Sequence, residues 1–352
     1  MYRRIPSYPL SLTSYPEVNI IIPMAGAGKR MRPHTLTTAK PLLPIAGKPI
    51  VQRLVEDILA TAGEGVEEIS FIINPTFGKE VEEKLLKVAS DLGAQGKIRY
   101  QEKALGTAHA ILAASDSLKG PVFIAFADTL FKAEFAIDKD KDAIVWTQRV
   151  ADPSQFGVVK LGEGEQILAF VEKPKEFVSN LAIIGVYYFK DGERLRQELQ
   201  RLLEEDIKPT GEYQLTDAMD HMLQNGVKFY TDQVEEWLDC GNYASTVATA
   251  GRVLDIKQRG EKLVHDSATV ENSIIIQPTY LGEGVVVRNS VVGPGVSLEA
   301  GTVVEDSRIR RAIVGANSVV KGAFIEDSML GKNVLLEESA RQWSLGDFST
   351  GS

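Results

Sequence analysis

The chain has 352 residues, 44% of them hydrophobic and 25% charged, with a formal net charge of −9 at pH 7. That length predicts a large core, divided over two domains, and the acidic balance leaves no basic footprint for nucleic acid. One cysteine, Cys240, excludes an intrachain disulfide framework and fits a reducing, cytoplasmic setting, and no apolar run approaches the roughly 18 residues of a membrane span.

Residues 1–17 contain three Pro and three Tyr. Arg3 and Arg4 are present there without a continuous apolar stretch, so the segment reads as an N-terminal extension and not a secretory signal. Asn19–Pro23 is an apolar strand that runs into the glycine turn Gly26-Ala27-Gly28, followed by Lys29, Arg30 and Arg32. Lys40 follows ten residues after Arg30, in front of Pro41. A glycine turn lets backbone N–H groups approach a phosphate chain, and nearby Arg and Lys neutralise the charge on it. The dinucleotide fingerprint G-x-G-x-x-G is excluded by Met31 at its third glycine position, and no G-x-x-x-x-G-K-[ST] run occurs.

Pro49–Thr61 carries Ile50, Val51, Leu54, Val55, Ile58 and Leu59 at a helical period. Glu68–Ile73 reads as a strand, Glu80–Leu92 as a helix, Thr107–Ser117 as a helix and Pro121–Phe126 as a buried strand that leads to Asp128. Such alternation predicts an α/β domain over residues 18–254, with ligands bound beyond the carboxyl ends of its strands. Residues 255–266, with Asp255–His265 as a connecting helix and linker, lead into a different pattern. From there to residue 340 aliphatic positions such as Val287, Val292, Leu298, Val304 and Ile309 recur every five or six residues, with glycines at turns. Three such units give a coil of about 17 residues, the hexapeptide signature of a parallel β-helix. Residues 341–352 form a C-terminal tail.

With these residues in place, the chain resembles the sugar-1-phosphate nucleotidylyltransferases, most closely the glucose-1-phosphate thymidylyltransferase and uridylyltransferase group. Their signature reads roughly G-x-G-[ST]-R-[LM]-x-P-x-T-x-x-x-P-K-P-L-x-P. Gly26, Gly28, Arg30, Met31, Pro33, Thr35, Lys40 and Pro41 stand at matching places. Lys29 replaces the usual small hydroxyl residue and Ala39 the proline before Lys40. The resemblance covers about Val18 to Gly251 and implies a Rossmann-like domain with a mixed, mainly parallel sheet. The repeats after it resemble the small left-handed β-helix at the C-terminus of many such enzymes.

The resemblance implies attack of a sugar-1-phosphate oxygen on the α-phosphorus of dTTP or UTP, with pyrophosphate leaving and Mg²⁺ as cofactor. Arg30 is expected to contact the triphosphate and Lys40 to bridge phosphates near the α-phosphorus, as the catalytic pair. Asp128, in F-A-D-T, and Asp239, in W-L-D-C-G, are the expected Mg²⁺ ligands. The nucleotide is expected at Ala25, Gly26, Gly28, Gln101, Gly106 and Thr107, with Thr107 also suited to capping the helix it precedes. Gln101 offers both donor and acceptor to a pyrimidine edge. The sugar phosphate is expected at Gly157, Glu172, Lys173, Asn180, Gly185, Tyr187 and Glu212. His34, His109, His221 and His265 are scattered, without zinc spacing.

Three rivals are weighed against this reading. A uridylyltransferase for N-acetylglucosamine 1-phosphate differs only in the sugar. An added acyltransferase site on the β-helix is disfavoured, because the repeats are few and His265 precedes them. A non-catalytic sugar-nucleotide-binding subunit is disfavoured by the presence of Arg30, Lys40, Asp128, Lys173 and Asp239. The open ends of a repeat stack favour a homo-oligomer.

Overall fold

The structure is a computed structural model that describes residues 18–62, 65–133 and 137–339, together with 344, 346, 347 and 349. The expected N-terminal extension and most of the expected tail lie outside the described residues. In chain order, β1 (Val18–Pro23) leads through short turns to the hairpin β2 (Pro44–Ile45) and β3 (Lys48–Pro49). There follow α1 (Ile50–Ala62), β4 (Val66–Ile73), α2 (Lys79–Asp91), β5 (Gln95–Tyr100), α3 (Thr107–Leu112), β6 (Val122–Ala125) and β7 (Thr129–Lys132). The second half adds β8 (Ala143–Arg149), β9 (Gly157–Leu161), β10 (Ile167–Glu172), β11 (Leu181–Phe189), α4 (Gly192–Glu204) and α5 (Leu215–Gln224). Then come β12 (Phe229–Gln233), β13 (Glu236–Asp239) and α6 (Tyr243–Lys257).

All six residues of β1 are buried, as a central strand covered on both faces requires. It pairs in parallel with β4 on one side and β6 on the other, and β5 extends the parallel half beyond β4. Beyond β6 the sheet turns antiparallel through β11, which also contacts β8 and β9. The sheet order β5-β4-β1-β6 reverses chain order between β1 and β6, which is where an open α/β sheet forms its ligand crevice. One apolar core joins α1, α2 and α6 to one face of the sheet, and a second packs α3, α4 and α5 on the other.

Two expected elements differ in extent. The helix expected over Thr107–Ser117 stops at Leu112, and Ser117 lies in a short 3₁₀ turn. The Ser117 hydroxyl turns inward to Glu68 and Ser70 of β4, a tertiary side-chain contact in place of a further helical turn. The connecting helix lies earlier than Asp255–His265. It is α6, started by a capping box between Asn242 and Ser245 and buried along Val247, Ala250, Val253 and Leu254.

Residues beyond α6 form a parallel β-helix consistent with the left-handed type. Five strands stack on one face, bringing Val270, Val287, Val304, Val320 and Leu336 into one column. The first coils are 17 residues long, by the pairing of Val287 with Val304, and the later ones 16, by that of Val304 with Val320. The change falls at one corner, where Gly293-Pro294-Gly295 gives way to the shorter Arg310-Arg311. The other corners use left-handed backbone supplied by Asn272, Asn289 and Asp306 in one column and by Gly284, Gly301, Asn317 and Asn333 in another. Gly, Asn and Asp adopt that conformation most readily, which is why they recur between the aliphatic residues. Ser273, Ser290 and Ser307 each accept a backbone N–H from the coil above. On the outer face Glu271, Arg288 and Glu305 alternate in charge, and Arg288 pairs with both acids at 3.0 and 3.1 Å.

Coil stacking leaves no room for a side chain at Gly315, where a Cβ would stand 2.5 Å from the Gly331 carbonyl carbon and oxygen. Gly315→Ala should therefore destabilise the protein by roughly 1–3 kcal/mol, measured as a lower midpoint in urea unfolding; an unchanged midpoint would contradict the stacking.

Candidate active site

The cleft opens where β1 and β6 end. Gly28 takes a left-handed backbone with φ +58°, and a Cβ there would meet Thr35 at 3.0 Å and Lys40 at 3.2 Å. The Thr35 hydroxyl donates to the Gly28 carbonyl at 2.9 Å, which closes the loop over the intervening residues. Met31, fully buried in the first core, anchors the loop from beneath. These contacts explain the spacing G-K-R-M-R-P-H-T: the glycine must be small, the methionine apolar and the threonine a donor. Lys29 and Arg30 are left pointing at the cleft, and among the described residues neither side chain makes a hydrogen bond or ion pair.

Lys40 is committed. Its Nζ lies 2.9 Å from Asp128 Oδ2, with the lysine side chain 10% and the aspartate 41% exposed. Asp128 follows β6, and its carbonyl accepts the Cys240 N–H at 2.9 Å, while Asp239 of β13 pairs with Thr129 of β7. The two aspartates thus come from neighbouring strand ends despite their separation in sequence. Asp239 Oδ1 accepts the Gly241 N–H at 2.8 Å. Among the described residues no cluster of three or more His, Cys, Asp or Glu side chains is arranged to hold a metal. Two carboxylates opening on one cleft suit a hard cation that takes its remaining ligands from water and phosphate oxygens, as Mg²⁺ does.

The cleft has two lobes. The first, about 400 Å³, is lined by Ala25, Gly26, Gly28, Lys29, Arg30, Lys40, Gln101, Gly106, Thr107 and Asp128. Gly106 is forced here: its φ is +119°, and a Cβ would stand 2.3 Å from the Tyr213 carbonyl oxygen. Tyr213 N–H donates to Leu105 O, and Ala108 N–H donates to Tyr213 O, so the loop is strapped down from both sides. Thr107 does not cap α3 as expected. Gly106 is the N-cap residue, and the Thr107 hydroxyl instead donates to Gln214 at 3.0 Å and accepts the Leu215 N–H at 2.8 Å.

The second lobe, about 640 Å³, is lined by Gly157, Glu172, Lys173, Gly185, Tyr187 and Asp239. Arg30, Thr107, Phe126 and Asp128 line both lobes, so they mark where the two meet. Gly185 has φ +86° within a register shift of β11, which turns the strand beside the cleft. Lys173 also has a positive φ, 42°, unusual for its type, and its Nζ lies 3.6 Å from Glu172. Burial pushes the Tyr187 phenol up, with the Glu172 carboxylate adding to the effect, so it stays a neutral donor.

Two residues expected in the sugar group lie elsewhere. Glu212 lines the first lobe and accepts from Gln214 at 3.2 Å. Asn180 lines neither lobe; its side chain accepts from Arg149 at 3.0 Å. Further residues line the second lobe beyond those expected from the sequence. Phe156 and Trp237 meet edge to face at 5.1 Å, Thr216 donates to Glu172 at 3.3 Å, and Asn242, the cap of α6, faces the lobe. Asn242 follows Asp239 closely in W-L-D-C-G-N, so a cap signal was available for it; Phe156 and Trp237 carried no signal beyond being aromatic.

A family model described as nucleotidyl transferase matches residues 19–255. The glucose-1-phosphate thymidylyltransferase of Streptomyces griseus is 31% identical over 92% of this chain and 96% of its own. The bifunctional protein GlmU of Methanococcus maripaludis is 31% identical over 77% of this chain and 62% of its own. Among solved structures, UDP-glucose pyrophosphorylase complexed with UDP-glucose aligns with a TM-score of 0.58 at 24% identity. It covers 68% of this chain and 99% of that one, and supports the fold. No helix among the described residues is long and apolar enough to cross a membrane.

Cys240 lies beside Asp239 but is fully buried, and burial, reinforced by Asp239, pushes its thiol well above the ordinary range. It is held as a packing group, not a nucleophile. The native protein should resist alkylation at pH 8 and react within minutes once unfolded in denaturant, followed by mass spectrometry; rapid native labelling would refute this burial.

Proposed function

We propose a specific reaction for this chain, which belongs to the nucleotidyl transferase family: it transfers a nucleotidyl group from dTTP or UTP to glucose 1-phosphate and releases pyrophosphate. The observation that carries the reading is the pair of uncommitted cations, Lys29 and Arg30, beside the Lys40–Asp128 ion pair where two lobes meet. One lobe suits the nucleotide and the other the sugar phosphate, with reacting groups facing each other across the shared residues. The names of the relatives support the substrate pair.

In this reading a phosphate oxygen of the sugar phosphate attacks the α-phosphorus in line. A new P–O bond forms, the bond to the bridging oxygen breaks, and pyrophosphate leaves with the electron pair. The attacking oxygen is already ionised, so no general base is required, and the protein acts by positioning and charge. Arg30 and Lys29 hold the outer phosphates, Lys40 neutralises charge at the α-phosphorus, and Lys173 holds the sugar phosphate. Glu172 and Tyr187 orient sugar hydroxyls. Asp128 and Asp239 would hold Mg²⁺, which when bound supplies positive charge to phosphate oxygens. Assembly into a homo-oligomer and a cytoplasmic location belong to the same proposal.

Pyrophosphate release with Mg²⁺, dTTP or UTP, and glucose 1-phosphate or N-acetylglucosamine 1-phosphate tests it. Release is expected only when the sugar phosphate is present. Arg30→Ala and Asp128→Ala should each lower kcat on the order of 10³-fold. Absence of release by a folded protein that still binds sugar nucleotide would favour a regulatory subunit, and an unchanged rate in Asp128→Ala would overturn the metal assignment.

A further inference from the structure

The role of Lys29 rests on the transfer reaction proposed above, and it separates two cations that are neighbours in the chain. Lys29, Arg30 and Met31 form one turn of 3₁₀ helix. In such a turn successive side chains leave the axis about 120° apart. Met31 takes the inward direction and is fully buried in the first core. Arg30 takes the direction of the seam and lines both lobes, whereas Lys29 lines the first lobe alone. The backbone before them is fixed by the left-handed Gly28 and by the Thr35 hydroxyl, which donates to the Gly28 carbonyl at 2.9 Å. Position 29 is thus held in place, while its ammonium makes no hydrogen bond or ion pair among the described residues.

In-line displacement sends the leaving group away from the attacking oxygen. With the sugar phosphate attacking from the second lobe, the diphosphate departs on the first-lobe side, where Lys29 stands. The charges that line the first lobe are Lys29, Arg30 and Lys40 against Asp128 and Glu212. Lys40 is already bonded to Asp128 at 2.9 Å. Without Lys29 the cations and carboxylates of this lining would be equal in number, and a triphosphate tail would meet no net charge. With it the lining is positive, and the charge belongs to the protein. A compact ammonium with rotatable donors suits phosphate oxygens whose arrangement changes as they leave. Lys29 stands where the family signature has a small hydroxyl residue, which offers a hydrogen bond and no charge. We infer that Lys29 is a binding residue for the leaving diphosphate, which the first lobe captures through this charge even in the absence of a metal ion.

Calorimetric titration of the full chain with inorganic pyrophosphate, UTP and UDP-glucose, all in EDTA, tests this in the native protein, Lys29→Thr and Lys29→Arg. The native protein should bind pyrophosphate without metal. Lys29→Thr should weaken pyrophosphate and UTP by about fivefold, the loss of one exposed charge-assisted contact. UDP-glucose, which carries no leaving diphosphate, should bind Lys29→Thr as it binds the native protein. Lys29→Arg keeps the charge and should stay within about twofold of native. The deficit of Lys29→Thr should shrink in about 0.5 M salt, as a charge effect does. In turnover with Mg²⁺, the inhibition constant of pyrophosphate against UTP should rise in Lys29→Thr while KM for glucose 1-phosphate stays unchanged. A loop that had merely lost its shape would weaken UDP-glucose and pyrophosphate alike. That result would overturn the inference, as would a native protein that binds no pyrophosphate in EDTA. Lys29-dependent pyrophosphate binding, in a protein that releases none from UTP and a sugar phosphate, would uphold the diphosphate site and overturn the transfer reading alone.

Discussion

The ion pair between Lys40 and Asp128 is the contact on which the arrangement of the cleft depends. The two residues belong to different loops, one after β1 and one after β6, and their bond at 2.9 Å sets the distance between those loops. It lies where the two lobes meet, so it also sets how a nucleotide and a sugar phosphate would face each other. Lysine is nearly buried and aspartate only partly so. Such a pair has a Coulomb attraction of several kcal/mol, much of it offset by the water both ions give up. Its net worth to stability is small, which suits a pair whose members would each take another partner in the proposed reaction: Lys40 an α-phosphate, Asp128 a cation. Among the described residues Lys29 and Arg30, by contrast, pair with no internal acid.

The elements nearest this contact were the most legible in the sequence. The glycine turn, the two cations after it and Lys40 stand in one continuous stretch, whose conformation is fixed by the close approach at Gly28, the Thr35 hydrogen bond and the burial of Met31. Asp128 and Asp239 were named together by resemblance only; what unites them in space is the pairing of β7 with β13, invisible to any local pattern. The β-helix showed in its aliphatic spacing, and its corner residues explain that spacing in backbone terms. Less legible was everything decided by a second partner. Thr107 looked like a cap because it precedes a helix, yet α5 claims its hydroxyl. Asn180 and Glu212 resembled sugar ligands, yet one turns to Arg149 and the other to the first lobe. Gln101 offers a donor and an acceptor by residue type, while its orientation is set by the Gly106 carbonyl, which takes an amide N–H at 3.2 Å.

The β-helix reaches back to the same loop. Arg53, fully buried on α1, donates to the carbonyl oxygens of Ile45 and Ala46 at 2.8 and 2.6 Å and pairs with Glu261 beyond α6. From the β-helix, Glu299 accepts the Gly47 N–H at 3.3 Å and Ser297 donates to it at 2.8 Å. Tyr280 lies so close to Gly47 that a Cβ there would stand 2.3 Å from its ring. The hairpin of β2 and β3 is therefore gripped by α1 on one side and by two coils of the β-helix on the other. Burial raises the pKa of Glu299, and its hydrogen bonds with Ser297 and Gly47 oppose that shift. Only a few residues separate this hairpin from Lys40, and Leu43 N–H, which donates to Lys40 O, spans them. The repeats thus form one mechanical unit with the loop that holds the central ion pair. A shift of the first coils against α1 would be carried to Lys40 by the hairpin, because close-packed groups with satisfied hydrogen bonds transmit displacement without absorbing it.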